Sequence, residues 1–247
     1  MSEVAREIES LGRLYGVADR AREFLSRASR YLDRYAEIVL GESAFEVVTG
    51  DQGQASSLVE LARNLGTSTA TCAAFTACVD AFPDRMLGVK ARIGESAQPT
   101  LYVRTLCDLS EGLCHLGPRA RSALAPGLAA SRTLYGLGFQ RIGDQECIKT
   151  YTVADIDWDG RRTTGFLSLR MTDDQISTEH KWYVPEVSLR SITAPSSRWQ
   201  RVLEFATDTL GYAEAGNVGY RVQDGRAPEL AVYVERVGAI PSDFSAR

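Results

Sequence analysis

Leu101-Tyr102-Val103-Arg104 alternates apolar residues with large polar ones. A strand turns successive side chains to opposite faces, so Leu101 and Val103 share one face and Tyr102 and Arg104 the other. The pattern returns at Leu167-Ser168-Leu169-Arg170 and at Val232-Tyr233-Val234-Glu235, at intervals of 66 and 65 residues. A near-constant interval carrying one local pattern suggests repeated supersecondary units. The apolar face of each strand must be covered, and the segments between strand pairs are available as covering helices.

Working outward from that stretch, Met86 to Ile93 alternates in the same way and joins residues 101–106 through the turn-forming run Gly94 to Pro99. A second pair, Glu146 to Val153 and Thr164 to Met171, turns at Asp157-Trp158-Asp159-Gly160. A third, Val218 to Val222 and Leu230 to Val237, turns at Asp224-Gly225. Short strands are also expected at Phe45 to Val48 and at Lys181 to Val187, where Pro185 implies an edge or a bulge. Tight turns between consecutive strands imply antiparallel pairing.

The helical pattern is clearest over residues 3–40. Val4, Ile8, Leu11, Tyr15, Ala18, Leu25, Ala28, Leu32, Tyr35 and Val39 form an apolar stripe, with Gly12 and Gly16 as a break and Gly41 as a stop. Further helices are expected from Ser56 or Ser57 to Leu65, over 67–82, over 108–116 and 119–137, and from Pro195-Ser196-Ser197 to Leu210, with Gly211 as its end. The fold class is therefore α+β: an antiparallel β-barrel or strongly curved sheet of helix-strand-strand-helix units with helices outside. No Pro/Gly/Ser-rich linker divides the chain. One domain over 1–247 is the expectation, with a helical segment at 1–42, a repeated body at 43–240 and a loose tail after Pro241.

The chain has 247 residues, 44% hydrophobic and 24% charged, which is enough apolar material for a core. Its net charge of -4 argues against general nucleic-acid binding, which runs on excess Lys and Arg. No run of 18 apolar residues is present, so no membrane span is expected. Residues 1–22 lack an apolar core of the secretory type, so Cys72, Cys78, Cys107, Cys114 and Cys147 are expected to be reduced thiols in the cytoplasm.

The polar strand positions are Lys90, Arg92, Tyr102, Arg104, Lys149, Tyr151, Arg170, Lys181, Tyr183 and Tyr233. Two readings fit them. On an open sheet they face water. In a closed barrel they point into the lumen, where Lys and Arg favour a phosphate or diphosphate and Tyr adds a hydroxyl and an aromatic wall. An aromatic wall also stabilises a carbocation, by roughly 0.5–2 kcal/mol per contact.

The order of elements, with Lys149/Tyr151, Lys181/Tyr183 and Tyr102/Arg104 on antiparallel strands, resembles the ABBA-type aromatic prenyltransferases. The resemblance runs from about Phe45 to Val237 and rests on short motifs. It implies a barrel of about ten strands, two more than the eight expected here, so that eight strands either fall short of closing the barrel or need a second subunit to do so. It also implies electrophilic alkylation of an aromatic or peptide acceptor by an allylic diphosphate, independent of magnesium or weakly dependent on it, with no cofactor required. On that resemblance Lys90, Arg92, Arg104, Lys149, Arg170 and Lys181 hold the diphosphate, and Tyr102, Tyr151, Tyr183 and Tyr233 shield the cation. Glu46 is the first choice for the acid–base carboxylate and Glu235 the second. The alternatives are a non-catalytic interaction or homo-oligomeric module, with the N-terminal stripe as its docking face, and a cyclase, isomerase or lyase using the same cavity.

Other constellations are weaker. Asp173-Asp174 lacks a second paired carboxylate and reads as a helix N-terminus. Cys107, Cys114 and His115 lack zinc spacing. His180 beside Lys181 reads as a surface residue. Gly136-Leu137-Gly138 lacks the third glycine of a dinucleotide fingerprint, and Trp158, Trp182 and Trp199 read as anchors in turns and helices.

Overall fold

The computed structural model describes residues 2–32, 36–51, 55–80, 82, 85–94, 99–108, 110, 114, 121, 133–158, 161–172, 175–223 and 228–237. Ten strands form one closed barrel: β1 (Ala36–Leu40), β2 (Phe45–Asp51), β3 (Arg85–Ile93), β4 (Thr100–Asp108), β5 (Thr133–Ile142), β6 (Gln145–Trp158), β7 (Arg161–Met171), β8 (Ile176–Ser188), β9 (Glu214–Gln223) and β10 (Glu229–Val237). Each strand pairs antiparallel with its neighbours in sequence, and β1 closes on β10 through Val39 opposite Tyr233.

The barrel closes within one chain, with two strands beyond the eight expected. Two staves were hidden. The helix expected over 3–40 is α1 (Glu3–Leu14) and α2 (Ala18–Leu32), broken at Gly16 with φ 74°, followed by β1. The helix expected over 119–137 runs into β5, which starts at Thr133. The rest of that segment, and most of 108–116, lies outside the described residues.

Helices α3 (Ala55–Asn64), α4 (Thr69–Val79) and α5 (Ser197–Glu204) complete the described outer layer. Ser68 and Ser196 cap α4 and α5, accepting from the backbone N–H of Thr71 and Trp199. The last turn of α5 widens over Phe205–Thr209, where Leu210 N–H donates to the Phe205 carbonyl, and Gly211 (φ 74°) ends it.

The apolar core lies between barrel and helices. Val4, Ile8, Leu11, Phe24, Leu32, Leu58, Leu61, Phe75 and Trp199 pack on outward strand residues such as Ile38, Phe45, Val47, Leu101, Val103, Phe139 and Val232. Of the N-terminal stripe, Val4, Ile8, Leu11, Leu25, Ala28 and Leu32 are buried in this core, and Tyr35 lies outside the described residues. Among the described residues, the opposite strand faces meet one another across the lumen. A second, small apolar cluster, Val39 and Val48 with Ala231 and Tyr233, lies on that inner side.

Pro185 is matched to Asn217 of β9 and lies beyond the last described β7 partner, Gly165 with Trp182. The missing N–H therefore falls past the end of that ladder. Trp182 faces outward on β8 and stacks on Tyr220, with ring centroids 5.4 Å apart, so it sits in a strand rather than a turn or helix. His180 is exposed on the same outer face. Asp173-Asp174 and His115 lie outside the described residues; β8 starts at Ile176, so a strand follows the acidic pair and not a helix.

Candidate functional site

Register fixes which side chains share the lumen. Lys90 lies opposite Thr100, Tyr102 opposite Gly138, and Gly138 opposite Lys149. Lys149 then lies opposite Arg170, and Lys181 opposite Arg221. These pairs lie on the face away from the helices. The polar-lumen reading is the one the fold realises.

The lumen opens into a cavity of about 510 Å³. Its lining includes Lys90, Arg92, Lys149, Arg170, Lys181 and Arg221, with Glu46, Thr100, Tyr102 and Gln140, and with Arg141 to Gly143 at the mouth. Five of the six cations named for anion binding line this one cavity. The sixth, Arg104, is further along the inner face of β4, opposite Met86 and Gly136, and is not part of the lining.

The tyrosines form a layer beside the cations. Tyr102 and Tyr151 face each other with hydroxyls 3.3 Å apart. The Lys149 and Lys181 ammonium groups stand 5.5 and 5.4 Å from the Tyr151 ring, and that of Lys90 is 5.9 Å from Tyr102. Tyr183 packs edge-on against both Tyr233 and Phe166. Gly219 makes room for this: a Cβ there would lie 2.8 Å from Tyr233 Cε2 and 3.1 Å from Tyr183 Cε1. Burial raises the Tyr183 phenol to about 12 and pushes Tyr151 and Tyr233 well above the usual range, so these three phenols are un-ionised at neutral pH.

Two carboxylates stand among the cations. Glu46 Oε2 is 2.6 Å from Lys90 Nζ. Burial alone would raise the Glu46 carboxyl, but Lys90, Lys181 and Arg92 hold it below the usual range. Glu179, 1% exposed, accepts from Lys149 Nζ at 2.6 Å and from Arg170 Nη2 at 3.1 Å. Arg221 is 3.5 Å and Lys181 3.6 Å from it. Burial opposes its ionisation, yet Lys181, Lys149 and Arg170 bring the carboxyl down to about 2. Burial, together with the nearby Lys149, pushes the Lys181 ammonium well below the usual lysine range.

Glu235 is on β10 opposite Glu37, and its side chain lies outside the described residues. Sequence reasoning missed Glu179, Arg221, Gln140 and Phe166. Glu179 and Arg221 keep the parity of Lys181 and of its partner strand, a signal available in Glu179-His180-Lys181-Trp182-Tyr183. None of the five cysteines is in a disulfide, and among the described residues no cluster of His, Cys, Asp or Glu is arranged to hold a metal ion.

This architecture is the prenyltransferase barrel, the fold of the ABBA-type aromatic prenyltransferases. Solved structures that share this fold include the following two proteins. The 5-dimethylallyl tryptophan synthase from Streptomyces coelicolor, in complex with DMASPP and Trp, superposes with a TM-score of 0.58 at 12% identity, covering 97% of this chain and 98% of that one. Prenyltransferase PriB, in its ternary complex with L-tryptophan and dimethylallyl thiolodiphosphate, gives 0.57 at 12% identity, covering 94% and 95%. The apo form of PriB gives 0.55 at 11%. No protein-family model matches the sequence, and no curated protein matches it.

Proposed function

We propose that the chain transfers a prenyl group from an allylic diphosphate to an aromatic acceptor. The observation that carries this reading is the stacking of two layers in one lumen: a cage of Lys and Arg directly against a layer of tyrosines. An anion site alone needs only the first layer. A carbocation site needs the second.

In the proposed reaction the diphosphate lies on Lys90, Arg92, Lys149, Arg170, Lys181 and Arg221. The allylic C–O bond breaks, its electron pair stays on the diphosphate oxygen, and the cage meets the added charge. The faces of Tyr102, Tyr151, Tyr183 and Tyr233 shield the allyl cation from water. An aromatic carbon of the acceptor supplies the pair for the new C–C bond. The proton it then loses goes to Glu46, kept ionised beside Lys90 and so able to accept it. The charge is met by fixed side chains, so transfer is expected to persist in chelator. Tryptophan is the first acceptor to test, because it is named in both neighbouring complexes.

The purified protein is titrated with dimethylallyl and geranyl diphosphate by calorimetry, then incubated with donor and tryptophan and analysed by mass spectrometry. Binding heat and a product heavier by one prenyl group support the reading. The absence of both binding heat and a thermal shift at millimolar donor would sink it.

A further inference from the structure

Prenyl transfer as proposed makes use of Glu46 and leaves Glu179 without a task. Yet Glu179 is among the most buried charges in the lumen, 1% exposed, and it contacts Lys149, Arg170, Arg221 and Lys181 at 2.6, 3.1, 3.5 and 3.6 Å. These cations belong to the set that a diphosphate would occupy. A fixed carboxylate in that position repels the very ligand the cage attracts.

The carboxylate also leaves donors unused. Among the described residues, Arg170 Nε and Ser168 Oγ are buried without a hydrogen-bond partner. Ser168 is 0% exposed and lies opposite Glu179 across the β7–β8 ladder. Buried donors without partners are rare and call for an explanation. One carboxylate has two oxygens; an anion with more oxygens, spanning β6 to β9, has atoms for the remaining donors.

We propose that Glu179 is a built-in stand-in for the anionic ligand, holding the cage together when it is empty and weakening the hold of diphosphate when it is full. This rests on reading the cavity as a diphosphate site. The charge balance of transfer gives such a stand-in a use. Breaking the C–O bond turns a diphosphate ester into free diphosphate, which carries one more negative charge. The product is therefore the anion a purely cationic cage holds harder, and a fixed negative charge among the cations opposes product more than substrate. Glu179 is a positioning residue in this scheme and touches no reacting carbon.

The test is calorimetry and thermal denaturation of the full chain with inorganic diphosphate. Glu179→Gln is expected to melt lower than wild type without anion, to show a larger rise in Tm with it, and to bind diphosphate at least tenfold more tightly. A merely structural Glu179 predicts the opposite for affinity, and unchanged or weaker binding by the variant overturns the proposal. Should Glu179→Gln fail to fold, the Lys181→Met background removes one cation along with the carboxylate. Lys181→Met alone is expected to bind at least tenfold more weakly than wild type, and Lys181→Met/Glu179→Gln to return to within about threefold of it. A double variant no better than Lys181→Met also overturns the proposal. Silence from wild type and both sets of variants overturns the anion site itself, whereas wild-type binding that Glu179→Gln fails to exceed leaves that site standing.

Discussion

The Glu179 cluster makes a prediction about acid stability that needs no substrate. Its carboxyl is held down to about 2 from an ordinary 4.5. A group whose folded pKa is depressed stabilises the fold above its unfolded value and loses that contribution as pH falls toward its folded value. The gap corresponds to about 3 kcal/mol, present in full above roughly pH 5 and gone near pH 2. The conversion holds because the side chain is only 2% exposed and water screens it little. Glu179→Gln leaves four cations facing an amide, so at pH 7 it should cost about 3–5 kcal/mol. The assay is urea unfolding of wild type and variant at a series of pH values, followed by fluorescence of Trp182 and Trp199, both buried outside the barrel. The remaining carboxylates titrate in both proteins, so the difference between the two curves isolates position 179. It should be largest above pH 5 and shrink steadily toward pH 2, with m-values unchanged. A difference that stays constant over that range, or grows as pH falls, would refute the assignment of Glu179 as an ionised counter-ion.

Glu46→Gln should lower the rate of transfer by about a hundredfold or more while diphosphate still binds, as single-turnover kinetics beside calorimetry would register. Tyr151→Leu and Tyr233→Leu should shift the reaction from transfer toward hydrolysis, read as the ratio of free prenyl alcohol to alkylated acceptor; an unchanged ratio argues against a shielding layer. Because the Lys181 ammonium is depressed in the empty cage, bringing an anion beside it favours its protonated form. Diphosphate binding should then take up protons and weaken as pH rises through the interval between that lowered value and the ordinary lysine range. Calorimetry in buffers of different ionisation heat checks the uptake. Gly219→Val should lose about 2 kcal/mol or more in denaturant titrations, since its Cβ meets two tyrosine rings at 2.8 and 3.1 Å.

Eight of the ten strands were legible because their outward positions are apolar and their inward ones polar. The two that were not show why that signal fails. All five residues of β1 are buried, and of its two inward residues, Glu37 and Val39, the second is apolar, so the strand shows little alternation between its faces. Its residues also extend the helical spacing of α2 by chance. In β5 the inward positions opposite Arg104 and Tyr102 are Gly136 and Gly138, which carry no side chain to mark a face. The site followed the same logic. Five cations of the cage and all four tyrosines came from parity along visible strands. Gln140 was lost with β5, and Glu179 because its strand begins five residues earlier than the Lys181 at which it was read.

Parity alone did not decide between lumen and water, yet the sequence held a further sign. Side chains on a solvated sheet are free to spread outward, so a large residue there does not require a small neighbour. In a closed barrel the inward face narrows, and bulk on one strand must be met by its absence on the next. Tyr102 is flanked by Gly88 and Gly138, and Tyr183 by Gly219. A Cβ on Gly138 would stand 3.2 Å from the Tyr102 ring, tight contact for a side chain with nowhere to turn. Ser168 and Ala231 fall on the same face, the first beside Tyr151 and the second beside Gly219. Small residues on one parity with Lys, Arg and Tyr are what an occupied interior demands. That pairing, rather than the alternation itself, separates a cage for an anion from a sheet wetted on one side.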